Sequence, residues 1–194
     1  MARIGNGGAL RVGTVVLAVY GAWLGGYLAA GNDVRDFIGI GRTFLANGNL
    51  GQAFNHPGAP QIHPEDYRPP SASGYDGQFS YYLAVTPRYA RSYMEDPSYR
   101  YSRILQPMLA RALALGSEDA TPYTLVLVNW LAAGLGTACL AAWLRIRGIS
   151  RWFALLYGLF PGVLVGVQHD VAEPWPSDWW LWASCCSTTD AGRG

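Results

Sequence analysis

The chain has 194 residues, of which 51% are apolar and only 14% are charged, whereas about 25% of the residues in an ordinary soluble domain are charged. The 14 basic residues are all arginines and are balanced by 13 acidic residues, so the basic excess typical of a nucleic-acid-binding protein is missing. The apolar content excludes a disordered chain. Three cysteines, two of them adjacent, indicate neither a disulfide framework nor a zinc site. The composition therefore favours a membrane protein over an unusually apolar globular protein.

Three charge-free apolar runs predict transmembrane helices, at residues 12–30, 120–144 and 152–168. The first two are long enough to cross a hydrocarbon core of about 30 Å at about 1.5 Å per residue. The third is shorter and is interrupted by Pro161, so it spans a membrane only if it is kinked or packed among neighbouring helices. A buried core helix is the alternative for each run. A signal peptide cleaved near Ala30 competes for the first run, but the length of its apolar stretch favours an uncleaved anchor.

The distribution of arginines predicts how these helices are oriented. Residues 1–11 and 145–151 contain arginines and no acidic residue, whereas residues 31–119 contain eight arginines and nine acidic residues. Because cytoplasmic segments carry the excess of positive charge, 1–11 and 145–151 are predicted to be cytoplasmic and 31–119 to lie outside. Residues 169–174 then emerge on the outer face. The expected location is the inner or plasma membrane, crossed several times by a chain with a cytoplasmic N-terminus.

The outer loop is predicted to contain two helices, at about residues 77–86 and 97–115. In the second, apolar side chains recur on one face as expected for an amphipathic helix that lies in the membrane interface, at Ile104, Leu105, Met108, Leu109, Ala112 and Leu113. Pro107 is expected to kink this helix midway. The predicted fold class is therefore all-α: a polytopic membrane protein with three transmembrane helices and an outer-face loop domain that contains interfacial amphipathic helices.

The segment Gly74–Tyr82 places one carboxylate, Asp76, between glycines and aromatic residues at the junction of a loop and a helix. A carboxylate accepts a proton from an attacking hydroxyl, glycine permits close approach of another molecule, and aromatic faces suit sugar rings. We therefore predict Asp76 as a catalytic residue and Tyr75, Gln78 and Tyr82 as contacts of a sugar or an acceptor. The alternative is that Asp76 only caps the helix that follows.

The arginines of the predicted helix 97–115 have two interpretations. They either form a solvated polar face or hold a lipid-linked phosphate, for which planar guanidinium groups are well suited. Arg100 and Arg111 are eleven residues apart, nearly three helical turns, and so are expected on one side of the polar face. The predicted phosphate-binding residues are Arg100, Arg103 and Arg111.

Two other groups of polar residues lie near predicted helix ends. Asp33 and Asp36 follow the first apolar run and are either alternative catalytic carboxylates or interfacial charges. His169, Asp170 and Glu173 form a predicted outer-face polar cluster in which His169 and Glu173 are spaced for a divalent metal. A second pair of ligands is missing from the sequence pattern, so we predict no metal site and no certain cofactor.

Three segments resemble a known class of enzymes: GYDGQFSYYLA, DPSYRYSRILQPMLARALALG and HDVAEP. Together with the predicted topology, they make residues 10–174 similar to integral-membrane glycosyltransferases of the GT-C class, in particular mannosyltransferases of the GPI-assembly type and related bacterial membrane proteins. The resemblance implies transfer of a sugar from a polyprenyl-phosphate donor on the outer face of the bilayer. It also implies that Asp76 is the loop carboxylate and that Arg100 and Arg103 lie near the lipid phosphate.

The resemblance leaves one alternative of a different class. Enzymes of this class have more spans than the three predicted here, so the chain reads as a truncated form. A non-enzymatic membrane protein, such as a transporter fragment or an assembly partner, is the competing interpretation. A transporter is expected to place polar residues at the bilayer midplane on broken helices, whereas the polar residues here are concentrated at the outer interface.

The composition changes at residue 175. Nine of the thirteen residues between Trp175 and Ser187 are Trp, Cys or Ser. Codons for Trp, Cys and most Ser begin with T, and a codon with T in the middle encodes an apolar residue, so a reading frame shifted by one base turns this segment into an apolar run. We therefore interpret residues 175–194 as a frameshifted reading of a further span. A tryptophan-rich interfacial tail is the alternative, and the nucleotide sequence after codon 174 distinguishes the two.

Overall fold

The computed structural model describes residues 7–41, 74–94 and 96–168. These segments contain helices and no strand, apart from one isolated antiparallel bridge between Ile40 and Gly74, so the all-α prediction is confirmed for the part described. Residues 1–6, 42–73, 95 and 169–194 lie outside it, and with them His169, Asp170, Glu173 and the predicted frameshifted tail. The α-helices are α1 Gly7–Ala29, α2 Gly77–Val85, α3 Pro97–Tyr101, α4 Leu105–Leu113, α5 Thr121–Ile146, α6 Ala154–Gly158 and α7 Pro161–Gln168.

Two helices of the described segments, α1 and α5, are long and apolar enough to cross a membrane. Three such helices were predicted, so the prediction is wrong for the third run. That run is divided into a 3-10 helix (Arg151–Phe153), α6 and α7. Pro161 explains the division, because proline has no N–H to donate and its ring clashes with the carbonyl four residues earlier. The chain therefore stops being helical at Leu159 and Phe160 and starts again at the proline.

Close packing of α1 against α5 forms the centre of the bundle. A Cβ atom at Gly13 would lie 2.6 Å from the carbonyl oxygen of Gly134, so the two backbones touch where both helices have glycine. One helical turn further along α1, the indole N–H of Trp130 donates to the carbonyl oxygen of Leu17 at 3.0 Å. Small residues at a helix interface permit this approach in membrane proteins as well as in soluble ones.

A hydrogen bond from α1 supports the break in the third segment. The hydroxyl of Tyr20 donates to the carbonyl oxygen of Gly158 at 2.6 Å. Gly158 is the last residue of α6, so its carbonyl is one of the groups that a helix end leaves without an intrahelical partner. Val163 and Val167 of α7 pack with Tyr20 and Val16 in one apolar cluster, which holds both pieces of the segment against the bundle.

Helix α2 lies at the centre of the region between α1 and α5. All nine of its residues are buried, in an apolar cluster that includes Ile38, Ile40, Ala110, Leu125 and Val128. A helix that lies in an interface needs an exposed apolar face, and α2 has none. The helix predicted at 77–86 is present as α2, and the aromatic side chains that suggested an interfacial position fill a protein core.

The predicted helix at 97–115 is two helices, α3 and α4, separated by a turn at residues 102–104. Pro107 does not kink a continuous helix; it lies in the first turn of α4, where proline is tolerated. One face of α4, with Gln106, Pro107 and Ala110, is buried. The adjacent face exposes an apolar stripe, Leu105, Leu109 and Leu113, as the predicted amphipathic pattern implies.

Candidate functional site

The beginning of α2 is held by the chain that follows α1. The amide of Tyr75 donates to the carbonyl oxygen of Gly39 at 2.8 Å, and the amide of Gly41 donates to Oε1 of Gln78 at 3.2 Å. Gly74 has φ +73°, and a Cβ atom there would lie 2.5 Å from the Gly39 carbonyl oxygen. Only glycine fits this bridge without strain, so Gly74 fixes where Tyr75 and Asp76 leave the loop.

Asp76 occupies the position before α2 but does not cap it, because its side chain accepts no hydrogen bond from the helix. Oδ2 of Asp76 instead lies 2.7 Å from Nη1 of Arg100. The side chains are 42% and 18% exposed, respectively, so the pair lies at the protein surface with the arginine on the inner side. Within the described segments Oδ1 of Asp76 has no partner, which leaves one carboxylate oxygen available to a ligand.

Helix α3 positions the arginine of this pair. Asp96 caps α3 by accepting a hydrogen bond from the amide of Tyr99 at 3.2 Å. The guanidinium carbon of Arg100 lies 4.2 Å from the centre of the Phe79 ring and 5.3 Å from that of Tyr99. Its Nε is buried and donates to none of the described residues. Nε of Arg100 is thus a buried donor without a partner among the described residues, and the guanidinium group lies against two aromatic rings.

Arg103 extends the site along the same face. Its Nη2 donates to the hydroxyl of Tyr99 at 2.6 Å, and its guanidinium carbon lies 4.8 Å from the centre of that ring. Tyr99 therefore lies between two guanidinium groups, Arg100 and Arg103. We call Tyr75, Asp76, Arg100 and Arg103, with the ring of Tyr99, the Asp76–Arg100 site.

Arg111 lies at the other end of α2. Its Nη1 donates to the carbonyl oxygens of Ala84 and Val85, each at 2.7 Å, and so satisfies groups that the last turn of a helix leaves without partners. The prediction placed Arg100 and Arg111 nearly three turns apart on one side of a continuous helix, and here they contact opposite ends of α2 from two separate helices. The reason is the turn at 102–104, which interrupts the helical spacing on which the prediction depended.

The electrostatic influence of Arg111 extends to the segment before α5. Desolvation by partial burial raises the pKa of the Glu118 carboxyl, the neighbouring Asp119 raises it further, and Arg111 lowers it. Arg111 thus donates hydrogen bonds to the end of α2 and also attracts the carboxylate of Glu118.

The predicted contact residues do not lie together at the surface. Tyr75 is 45% exposed and adjoins Asp76, whereas Gln78 and Tyr82 are 1% and 0% exposed. Gln78 forms part of the bridge to Gly41, and Tyr82 belongs to the apolar cluster around α2. Of the three, only Tyr75 is placed to meet a molecule from solution.

Asp33 and Asp36 have structural partners. They form a reciprocal capping box on the 3-10 helix Val34–Phe37, in which Asp33 accepts from the amide of Arg35 and Asp36 accepts from the amide of Asp33. Oδ2 of Asp36 also accepts a hydrogen bond from the hydroxyl of Tyr27 at 3.2 Å. These carboxylates hold the turn that follows α1.

The described residues contain no group of three or more His, Cys, Asp or Glu side chains placed to hold a metal ion. Comparison of the chain with protein-family models, curated proteins and solved structures gives no match. The pairing of Asp76 with Arg100 is the feature that sequence reasoning missed. The two residues are 24 positions apart with no periodic relation, so no pattern in the sequence signals their contact.

Proposed function

We propose that this chain is part of an integral-membrane enzyme that transfers a sugar from a polyprenyl phosphate to an acceptor on the outer face of the inner or plasma membrane. The observation that carries the proposal is the Asp76–Arg100 site, where a surface carboxylate pairs with Arg100, and Tyr99 contacts both Arg100 and Arg103. This combination supplies an acceptor for a proton and donors for a phosphate.

Exposed apolar side chains support a membrane location. On α5 they recur every four residues, and a stripe of this kind is costly in water and favourable in lipid, at Tyr123, Leu127, Leu131 and Leu135. Leu156 and Phe160 in the third segment are also exposed. The N-terminus is assigned to the cytoplasm by the arginines at the beginning of α1 and in the turn after α5.

The proposed reaction moves a glycosyl group between two oxygens. The bond between the anomeric carbon and the phosphate oxygen breaks, and the lipid phosphate leaves with that electron pair. The acceptor hydroxyl forms the new bond to the anomeric carbon and gives its proton to Oδ1 of Asp76. Arg100 and Arg103 bind the phosphate as charge develops on it. The proposal includes no metal or other cofactor.

The test separates phosphate binding from transfer. The protein is reconstituted in lipid nanodiscs and given a polyprenyl phosphate, or the same lipid carrying a radiolabelled sugar with candidate acceptors. We expect Asp76→Asn to retain lipid-phosphate binding and lose transfer, and Arg100→Gln with Arg103→Gln to weaken binding at least tenfold. Arg88→Gln with Arg91→Gln removes the same charge from exposed positions outside the site and serves as the control. Normal transfer by Asp76→Asn would remove Asp76 from the mechanism.

One observation favours the second candidate, a non-enzymatic partner in a membrane assembly. The leucine stripe of α4 is exposed, and a partner helix would cover it. In that case Asp76→Asn leaves function intact, whereas Leu109→Glu on α4 abolishes co-purification of the partner.

A further inference from the structure

One end of the helix bundle carries a cluster of arginines, which we call the basic end and define as Arg11, Arg147 and Arg151. Arg151 lies against the beginning of α1, where a side chain at Gly8 would clash with its Nη1. Arg11 follows Gly8 by three residues, so the two positions are neighbours on one face of α1, and Arg11 is exposed. The turn after α5, residues 147–151, brings Arg147 to the same end. Residues far apart in sequence thus form one basic surface.

Within the part of the chain that the structure describes, no carboxylate neutralises the basic end. The acidic residues closest to the turn along the chain are Asp119 and Asp170. Asp119 lies before α5, whose 26 residues separate it from the turn by about 39 Å, and Asp170 lies outside the described residues. Within the described segments, Arg11, Arg147 and Arg151 form no ion pair. Their charge is therefore available to an external anion.

Aromatic rings accompany two of these arginines. The guanidinium carbon of Arg147 lies 4.9 Å from the centre of the Trp143 ring, and that of Arg151 lies 5.9 Å from that of Trp152. Trp152 and its neighbour Phe153 are exposed. Tryptophan side chains settle at the level of lipid headgroups, so these rings set the depth at which the arginines meet a bilayer.

The turn itself is held in one conformation. The amide of Ile149 donates to the carbonyl oxygen of Leu144 at 2.9 Å, and that of Gly148 donates to Arg145 at 3.0 Å. With Gly148 at φ +73°, this is the Schellman arrangement that ends many helices. Arg147 and Arg151, on either side of Gly148, are therefore held by a turn of fixed conformation.

We propose that the basic end binds the phosphate headgroups of anionic phospholipids in the cytoplasmic leaflet. Charge complementarity identifies the occupant: guanidinium groups pair with phosphate oxygens through two parallel hydrogen bonds. The interfacial tryptophans place the arginines at the membrane surface, which selects a lipid headgroup as the source of the phosphate. The inference rests on the membrane location within the proposed function and is independent of sugar transfer.

The experiment measures lipid affinity by native mass spectrometry. The full chain in detergent micelles is titrated with phosphatidylglycerol or phosphatidylcholine of identical acyl chains. An arginine near an anionic lipid surface contributes about 1 kcal/mol, so Arg147→Gln with Arg151→Gln is expected to weaken phosphatidylglycerol binding about 30-fold. Phosphatidylcholine binding is expected to weaken much less, because choline offsets the charge of its phosphate. Arg88→Gln with Arg91→Gln removes equal charge outside the basic end and is expected to leave both affinities unchanged.

Two further measurements make each outcome decisive. Arg147→Lys with Arg151→Lys retains the charge but loses the paired hydrogen bonds of guanidinium, and it is expected to weaken phosphatidylglycerol binding less than the glutamine pair does, which separates loss of charge from loss of folding. Equal affinity for the two lipids, or equal loss in both glutamine variants, would overturn the proposal. Flotation with phosphatidylcholine vesicles tests membrane insertion separately, because a protein that does not float contradicts the membrane location itself.

Discussion

Substitution of Gly13 by alanine tests the packing of α1 against α5. A Cβ atom at Gly13 would lie 2.6 Å from the carbonyl oxygen of Gly134 and 2.9 Å from the Cβ of Ala138. Ordinary contacts of a Cβ atom begin at 3.4 Å, so the backbones must separate by about 0.8 Å, the difference between 3.4 and 2.6 Å. Overpacking of this kind costs about 1–3 kcal/mol.

The matched control lies on the same helix. A Cβ atom at Gly25 meets no atom within 4 Å, so Gly25→Ala changes helix propensity without changing packing. Both substitutions gain the same propensity term, about 1 kcal/mol, which cancels when the two variants are compared. We therefore expect Gly13→Ala to be less stable than Gly25→Ala by about 1–3 kcal/mol.

The assay is reversible unfolding in mixed micelles of a mild detergent and dodecyl sulfate, followed by helical circular dichroism. The free energy of unfolding is compared at a fixed detergent ratio for the unaltered chain and the two alanine variants. Equal stability of Gly13→Ala and Gly25→Ala would refute the reasoning, because it would mean that α1 and α5 do not touch at Gly13.

Three further substitutions test single contacts by the same unfolding assay. Arg111→Met removes two hydrogen bonds from a charged donor to the C-terminal carbonyls of α2, and we expect a loss of about 2 kcal/mol; an unchanged free energy would contradict the assigned contact. Tyr20→Phe leaves the carbonyl of Gly158 without its donor, for an expected loss of about 1–2 kcal/mol, and full stability would mean that water replaces the hydroxyl. Gly148→Ala places a Cβ atom at φ +73°, at a cost of about 1–2 kcal/mol; no change would show that the turn adopts another conformation.

The sequence predicts α1 and α5 well because their signal is local. Each is an uninterrupted apolar run. The ends of α5 are also visible in the sequence, because proline favours the first turn of a helix and glycine favours the position just after one, here Pro122 and Gly148. The third run has the same composition but contains Pro161. Whether such a proline kinks a helix or divides it depends on neighbours, and here Tyr20 supplies a hydrogen bond that supports the division.

The region between α1 and α5 was harder to predict because the surroundings of its side chains depend on contacts with residues distant in the sequence. An aromatic segment suits an interface or a core equally, and the pattern of 77–85 does not distinguish them. Phe79 and Tyr82 are buried against α4 and α5, so this segment forms part of a protein core. The apolar stripe of α4 was predicted correctly as a pattern, but the continuous helix 97–115 was not, because the turn at 102–104 divides it.

Asp76 differs from two other aspartates of the chain that also precede helices. Asp33 and Asp96 each precede a helix and accept a hydrogen bond from its first turn, which is the ordinary stabilising role of aspartate at that position. Asp76 also precedes a helix, yet its side chain makes no such bond and pairs with Arg100 at the surface. The orientation of Asp76 therefore leaves α2 uncapped by a side chain and gives the surface a carboxylate that pairs with Arg100 on α3.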